Sequence, residues 1–178
     1  TTHHGALQLS GQSVRRDELL DSHSKAFPKD IRTKLMLAEG YIKTDTQAAI
    51  STYRDILTFA PNNVVVLNNL AYLLMVEGSL DDAEVLAERA YSIQPTNLST
   101  ADTFAQILVK QGKTEQAVEV YSKVINDEVT NEDLVLNYIH ALLSNGSTVV
   151  AKRRLAAREF RNPVSKVRID ELKKEFNL

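Results

Sequence analysis

The chain has 178 residues, of which 43% are hydrophobic and 25% charged, and its formal net charge is −2. This composition is typical of a globular protein and too apolar for an intrinsically disordered one. The chain contains no cysteine, which excludes disulfides, thiolate zinc sites and cysteine nucleophiles. No apolar run approaches the roughly 18–20 residues that a membrane-spanning helix needs, so no transmembrane segment is predicted.

Residues 1–29 are expected to contain one helix of an incomplete pair. Apolar residues favour a helix over Ser13–Phe27, and its partner helix would be missing or degenerate within Gly5–Gln12. The first thirteen residues lack the continuous apolar run of a signal peptide, and His3 and His4 are given no role. Because the chain does not begin with methionine, we expect it to be a processed or excised fragment. The partial helix here and the cap predicted at the other end suggest the C-terminal end of a longer array.

Residues 30–62 are the first complete predicted helix pair. Small and apolar residues recur at helical spacing in both of its helices, at Leu37, Ala38, Tyr41, Ala49, Tyr53 and Ile56. The turn Lys43–Thr46 contains no glycine, and Asp45 or Thr46 is the expected N-cap of the second helix. The spacing between the helices is one residue shorter here than in the next pair, so we expect any bend of the array at this turn.

The next unit, residues 63–97, shows the pattern most clearly. Its first helix is apolar at the spacing i, i+3, i+4 and i+7, which predicts one buried face formed by Leu67, Leu70, Ala71 and Leu74. Gly78 is expected to end this helix in the left-handed backbone conformation. Ser79 is the predicted N-cap of the second helix, with Asp82 at capping-box spacing. Pro95 closes the unit because it cannot continue a helix.

The same plan recurs in residues 98–131 and 132–162. Glycines lie 34 residues apart at Gly78, Gly112 and Gly146, and alanines keep the same interval at Ala83, Ala117 and Ala151. In the last unit Ile139 stands where the two preceding units have alanine. We therefore expect the helices of that unit to be slightly splayed.

The C-terminal segment, residues 163–178, is predicted to be a capping helix. Asn162 suits the N-cap and Pro163 the first helical position, and an apolar stripe of Ile169, Leu172 and Phe176 would cover the last repeat. Residues 152–178 carry nine basic and four acidic side chains. Such a basic end can attract nucleic acid or anionic lipid, although we favour a solvated helical face.

The 34-residue period, with glycine, alanine and proline at set positions, closely resembles the tetratricopeptide repeat. The resemblance covers about Asp30–Arg158 and four units, although the tryptophan of the family's first helix is absent. It implies an all-α, right-handed superhelical solenoid of antiparallel helix pairs, with about four repeats and flanking helices. It also implies a scaffold for protein interaction and not an enzyme.

Candidate catalytic patterns are weak. The sequence has no H-E-x-x-H, no G-x-S-x-G and no phosphate-binding P-loop. Its four histidines lack a second ligand or base at a useful spacing, and carboxylate pairs such as Asp81–Asp82 suit helix starts. We therefore predict no catalytic residue, no metal site and no cofactor.

In the family that the chain resembles, the first helices line a concave groove that is available to a protein or peptide. Asparagine side chains can hydrogen-bond an extended backbone, and tyrosine supplies an amphipathic anchor. By the phase of the repeats, the predicted partner-binding residues are Asn68, Asn69, Tyr72, Met75, Asp102, Gln106, Val109, Asn137 and His140. Packing between repeats is the alternative role for each of them.

Two subtypes of the family can be compared with the chain. Repeat proteins that hold the C-terminal carboxylate of heat-shock chaperones have basic residues where this chain has Leu35, Ser99 and Thr103, so that role is not expected. The runs Leu67–Leu74 and Ala87–Tyr91 resemble the C-terminal repeats of bacterial tetratricopeptide lipoproteins of the exopolysaccharide and exosortase (PEP-CTERM) systems. This resemblance implies a bacterial envelope or export assembly and favours a periplasmic or envelope location.

We therefore expect a scaffold that binds a peptide or partner segment in the concave groove, with nucleic acid an unlikely partner. The sequence leaves two alternatives open. One is a structural spacer of an envelope complex, which would use the convex face or the ends of the array. The other is a polyanion-binding adaptor that would use the basic C-terminal end. The oligomeric state is also left open.

Overall fold

The computed structural model describes Arg15 and residues 18–178, and this part of the chain is helical, without β-strands. The helices are α1 (residues 18–26), α2 (Ile31–Tyr41), α3 (Thr46–Phe59), α4 (Val64–Val76), α5 (Leu80–Ile93), α6 (Leu98–Lys110), α7 (Thr114–Val124), α8 (Glu132–Ser144), α9 (Thr148–Ala156) and α10 (Pro163–Glu175). None of these helices has the length and apolar character of a membrane span. His3, His4 and the partner helix expected within Gly5–Gln12 lie outside the described residues.

The helices pack in antiparallel pairs that follow one another along the chain. The pairs are α2–α3, α4–α5, α6–α7 and α8–α9, and α10 packs against α8. Each of the second helices α3, α5 and α7 also contacts the first helix of the next pair. The first helices α4, α6, α8 and α10 contact one another in that order, so they line one side of the molecule. The predicted all-α solenoid of helix pairs is confirmed.

Three turns between paired helices have the same backbone geometry. Gly78, Gly112 and Gly146 have φ angles of +86°, +77° and +74°, in the left-handed region that glycine enters without steric cost. The N–H of Gly78 donates to the Met75 carbonyl at 3.2 Å, and the N–H of the following residue donates to the Leu74 carbonyl at 2.9 Å. The other two glycines repeat this pattern, which is the Schellman motif. The left-handed glycine predicted at this turn is confirmed.

The turn between α2 and α3 uses an aspartate in place of a glycine. The Asp45 side chain accepts a hydrogen bond from the backbone N–H of Ala48 at 3.0 Å, so Asp45 is the N-cap of α3, as predicted. Ser79 is the N-cap residue of α5, but its side chain makes no capping hydrogen bond. Asp81 and Asp82 lie in the first turn of α5. Their negative charges interact favourably with the positive end of the helix dipole and stabilise the helix.

The core consists of small residues where helices approach closely and of large side chains between the pairs. The alanines at the repeated positions have no exposed surface: Ala38, Ala49, Ala71, Ala83, Ala105, Ala117 and Ala151. Tyr53 on α3 and Tyr121 on α7 are also fully buried. Ile139, which replaces the alanine of the preceding units, is fully buried as well.

The C-terminal end departs from the repeat plan. Helix α9 has nine residues, whereas α3 and α5 each have fourteen. Beyond it, the Phe160 side chain is buried, and the Arg158 guanidinium donates to the carbonyls of Val129 and Asp127. Asn162 and Pro163 begin α10, as predicted. Leu172 is buried in the same hydrophobic cluster as α8 residues, so α10 covers that end of the core.

Candidate functional site

Cavities open along the surface lined by α4, α6, α8 and α10, and we call this surface the groove. A cavity of about 430 Å³ lies between α4 and α6 and includes Asn68 and Asn69. A cavity of about 210 Å³ lies between α6, α8 and α10. It is lined by Gln106, Val109, Lys110, Tyr121, Asn137, His140 and Arg168. The structure thus brings four of the predicted partner-binding residues together around this second cavity.

The α4 face that borders the groove is apolar and exposed. Val65, Tyr72 and Val76 lie seven and four residues apart, so they share one face of the helix. Their exposed fractions are 55%, 48% and 64%. Asn69, on the same face, is half-buried, and its amide donates to the Tyr53 hydroxyl at 3.4 Å. Aligned exposed apolar side chains are typical of an interaction surface. Val65 and Val76 were not predicted, although the helical phase of Tyr72 points to both.

Two of the predicted partner-binding residues, Asn68 and Met75 on α4, have little exposed surface. The Asn68 amide nitrogen donates to the Ser99 hydroxyl of α6 at 3.2 Å, and its carbonyl oxygen has no partner among the described residues. Met75 is 4% exposed and belongs to the hydrophobic core, so the structure places it in the packing and not on the groove surface. The reason is its position at the edge of the exposed stripe, on the side that packs against neighbouring helices.

Asp102 on α6 is the centre of a polar network that connects neighbouring helices. Its Oδ1 accepts hydrogen bonds from the Tyr121 hydroxyl of α7 at 2.7 Å and from the Asn137 amide of α8 at 2.8 Å. Its Oδ2 accepts one from the Gln106 amide at 2.9 Å. The Arg168 guanidinium of α10 donates to the Asn137 amide oxygen. The network therefore fixes the inner faces of α6, α8 and α10 relative to one another.

Electrostatics favour a structural role for Asp102. Burial raises the pKa of its carboxyl, while the hydrogen bonds from Tyr121, Asn137 and Gln106 and the charge of Arg168 act in the opposite direction. Burial and the neighbouring Asp102 raise the pKa of the Tyr121 hydroxyl well above its usual value of 10.0. Tyr121 therefore remains a hydrogen-bond donor at neutral pH. Because both carboxylate oxygens are engaged, Asp102 is an anchor of the network and does not resemble a general base.

Lys110 and Arg168 give the cavity of about 210 Å³ a cationic wall. Neither was predicted as a site residue. Lys110 directly follows Val109, and Arg168 lies on the helix that was expected only to cap the array. Burial, and to a lesser degree Arg168 and Lys110, lower the pKa of His140, while Glu175 acts in the opposite direction. The imidazole is therefore neutral at pH 7, and it packs edge-on against Phe176 with ring centroids 5.8 Å apart.

Several arginines of the basic C-terminal end make intramolecular contacts. The Arg154 guanidinium lies over the Tyr138 ring, 4.7 Å from its centroid. Arg158 binds backbone carbonyls and Arg168 binds Asn137. These contacts give the three arginines structural roles in the last units. Within the described residues, no group of three or more histidine, aspartate or glutamate side chains is arranged to hold a metal ion.

Residues 102–126 match the family model of the tetratricopeptide repeat. PilF of Pseudomonas aeruginosa has a similar solved structure, with a TM-score of 0.73 and 20% identity over 97% of this chain and 80% of that one. The fold is that of a tetratricopeptide-repeat solenoid. YrrB, described as a tetratricopeptide-repeat protein with an unusual peptide-binding site, superposes with a TM-score of 0.69 and 14% identity over 79% of this chain and 73% of that one.

Curated relatives are also tetratricopeptide-repeat proteins. The chain is 25% identical over 141 residues to tetratricopeptide repeat protein 21A of Mus musculus, which covers 78% of this chain. It spans only 11% to 32% of the length of the curated relatives that it matches. Within this tetratricopeptide-repeat solenoid, the matched residues include Asp102, Gln106 and Tyr121 of the polar network, whereas Asn137 and Arg168 lie beyond them.

Proposed function

We propose that the chain is a non-catalytic scaffold that holds an extended segment of a partner protein in the groove. The exposed apolar stripe of Val65, Tyr72 and Val76 carries this proposal. Large exposed apolar side chains are costly to leave in water, and burying them on association is favourable. The cavities on either side of α6 extend this surface along the array. The scaffold role agrees with the interaction roles that tetratricopeptide-repeat folds generally serve.

The setting we propose is a bacterial envelope or export assembly. This part of the proposal depends on the resemblance of the α4 and α5 sequences to the repeats of bacterial envelope lipoproteins. Fractionation of cells that express the tagged full-length protein at its native level checks the location. Recovery from the envelope fraction is expected, and recovery from the cytosol alone would contradict it.

The groove can be tested with two matched pairs of substitutions. Tyr72→Gln with Val76→Gln removes apolar surface from the groove. Val85→Gln with Val149→Gln removes it from the second helices α5 and α9, where these valines are 66% and 73% exposed. Glutamine is a good helix former, so both double variants should fold, and circular dichroism checks this.

A partner captured by the wild-type chain is expected to bind the groove variant at least about tenfold more weakly, because central apolar anchors dominate such interfaces. Binding to the second-helix variant should change by less than about twofold. Calorimetry with the purified partner measures both affinities. Equal losses in the two variants, or a loss only in the second-helix variant, would place the interface outside the groove.

A further inference from the structure

We infer that the segment held in the groove combines bulky apolar side chains with an acidic residue about five or six positions away along the segment. This inference deepens the proposed function and rests on it. It follows from a division of the groove into two chemically different parts. We call these the apolar strip, Val65, Tyr72 and Val76, and the cationic cavity, which is the cavity that Lys110 and Arg168 line.

The three side chains of the apolar strip are uncharged, and the exposed Glu39 acts on the Tyr53 hydroxyl that Asn69 contacts. Its three side chains form one line along α4, and Asn69 lies beside them with a half-buried amide. An apolar side chain of a partner can cover this line, while the Asn69 side chain can hydrogen-bond an extended backbone. The strip therefore selects for apolar side chains in the segment above α4.

The cationic cavity has a different character because two cations, Lys110 and Arg168, line it, whereas the nearby network contains one carboxylate, Asp102. The oxygens of Asp102 accept hydrogen bonds from Tyr121, Asn137 and Gln106. Its charge offsets part of that of Arg168, and the charge of Lys110 remains. Arg168 uses one amine on the Asn137 side chain and retains further N–H donors. Lys110 is exposed at the edge of the cavity and forms no ion pair with the described residues.

Nearby acidic side chains lie beyond the wall of this cavity. Glu171 and Glu175 line an adjoining cavity of about 180 Å³ together with His140 and Arg168, and neither lines the cavity that contains Lys110. His140 is neutral at pH 7 and does not oppose an anion. A carboxylate that enters beside Lys110 would therefore meet two cations, one of which can bind it through two parallel hydrogen bonds.

The distance between the two parts sets the spacing in the ligand. Packed helices lie about 8–10 Å apart, so α4 and α8 are separated by about 16–20 Å across α6. An extended chain advances about 3.3–3.6 Å per residue. A segment that covers the apolar strip therefore reaches the cationic cavity after about five or six residues. The carboxylate can come from an aspartate or glutamate side chain or from a chain terminus.

The test is selection from a phage-displayed library of random peptides about twice this length, with the full chain as bait. Selected peptides are expected to contain an apolar cluster and an aspartate or glutamate at the stated spacing. Synthetic versions with a free or an amidated C-terminus distinguish a side-chain carboxylate from a terminal one. Fluorescence polarisation then measures their affinity for the wild type and for Lys110→Gln, with the exposed α9 residue in Lys152→Gln as the matched control.

Lys110→Gln is expected to weaken binding about three- to tenfold, and Lys152→Gln less than twofold, since only the former removes a charge near the ligand. Replacing the peptide's acidic residue by its amide should weaken binding to wild type by a similar factor. It should have little further effect on the Lys110→Gln variant, because the two changes remove the same interaction. Additive effects would overturn the inference.

The remaining outcomes separate this inference from the proposed function. Peptides that depend on Tyr72 and Val76 but show no acidic preference would overturn the inference and leave the proposed function intact. If every selected peptide binds the Tyr72→Gln, Val76→Gln variant as tightly as the wild type, both the inference and the proposed function are wrong. If the wild-type chain self-associates and that variant is monomeric by analytical ultracentrifugation, the occupant is a second copy of the chain and the inference is wrong.

Discussion

At the residue scale, the half-buried carboxylate of Asp102 is the feature that most needs hydrogen-bond partners. A buried charge is costly unless it is paired or hydrogen-bonded, and Asp102 receives hydrogen bonds from side chains on three helices. Because each donor comes from a different place in the fold, the network specifies how α6, α7 and α8 pack. Lys110 lies outside this network, whereas Arg168 joins it through Asn137 and also lines the cavity. One half-buried acid thus connects the packing of these helices to the composition of the groove surface.

Tyr121→Phe should lower the free energy of unfolding by about 1.5–3 kcal/mol, because it removes a hydrogen bond from a fully buried hydroxyl to a half-buried carboxylate. Tyr91→Phe is the matched control. Tyr91 is half-buried beside Phe104, and its hydroxyl has no hydrogen-bond partner among the described residues. That change should cost less than about 0.5 kcal/mol. Urea denaturation measures both values, and similar losses for the two variants would argue against a stabilising network.

The position of a residue within the repeat indicated which helix faces border the groove. It did not indicate whether residues at the edges of those faces are exposed. Gln106, Val109, Asn137 and His140 were each chosen from the repeat phase, and they converge on one cavity. Met75 was chosen in the same way, but it is buried. Whether a side chain at the edge of a face is covered depends on the neighbouring helix, which the local sequence does not specify.

At the element scale, the helix ends repeat as regularly as the helices do. Asn63, Asn97 and Asn131, each 34 residues apart, cap α4, α6 and α8. Their side chains accept hydrogen bonds from backbone N–H groups in the first turn. This asparagine interval is visible in the sequence but was not part of the prediction. Helix caps and glycine turns can be predicted from sequence because they depend on residues close together in the chain.

The short helix α9 was not predictable in the same way. Its nine residues are followed by a segment in which Phe160 is buried and Arg158 donates to backbone carbonyls of the α7–α8 connection. These contacts lie about thirty residues apart in sequence. The end of α9 is therefore determined by tertiary packing that competes with helix propensity, which is a weak determinant on its own.

The glycine turns can be tested separately from packing. Gly112→Ala should destabilise the protein by about 1–2 kcal/mol, because an alanine in the left-handed conformation is strained. Gly40→Ala, inside α2, should stabilise it by about 0.5–1 kcal/mol. An added Cβ meets nothing within 4 Å at either site, so the two variants differ in backbone conformation alone. Thermal unfolding gives the sign of each change, and the same sign for both would contradict this account.

At the scale of the whole molecule, α10 lines the groove and also covers the end of the hydrophobic core. It was predicted as a cap from its apolar stripe, and its Leu172 is buried with α8 residues. The same helix also supplies Arg168, which hydrogen-bonds Asn137 of the polar network and lines the cationic cavity. The periodicity of the repeats ends before α10, so the period gave no phase from which its groove-facing residues could be chosen.

The solenoid should transmit destabilisation only between neighbouring units. Leu172→Ala, at the α8–α10 contact, and Ile56→Ala, on α3, each remove a buried side chain and should each cost about 2–5 kcal/mol locally. Because each repeat contacts only its neighbours, Leu172→Ala should lower hydrogen-exchange protection in α8 and α10 and leave α2 and α3 nearly unchanged. Ile56→Ala should give the reverse pattern. Native-state exchange with mass spectrometry resolves the helices, and an equal loss along the whole chain in either variant would show one cooperative unit, in which changes at α10 would reach α4.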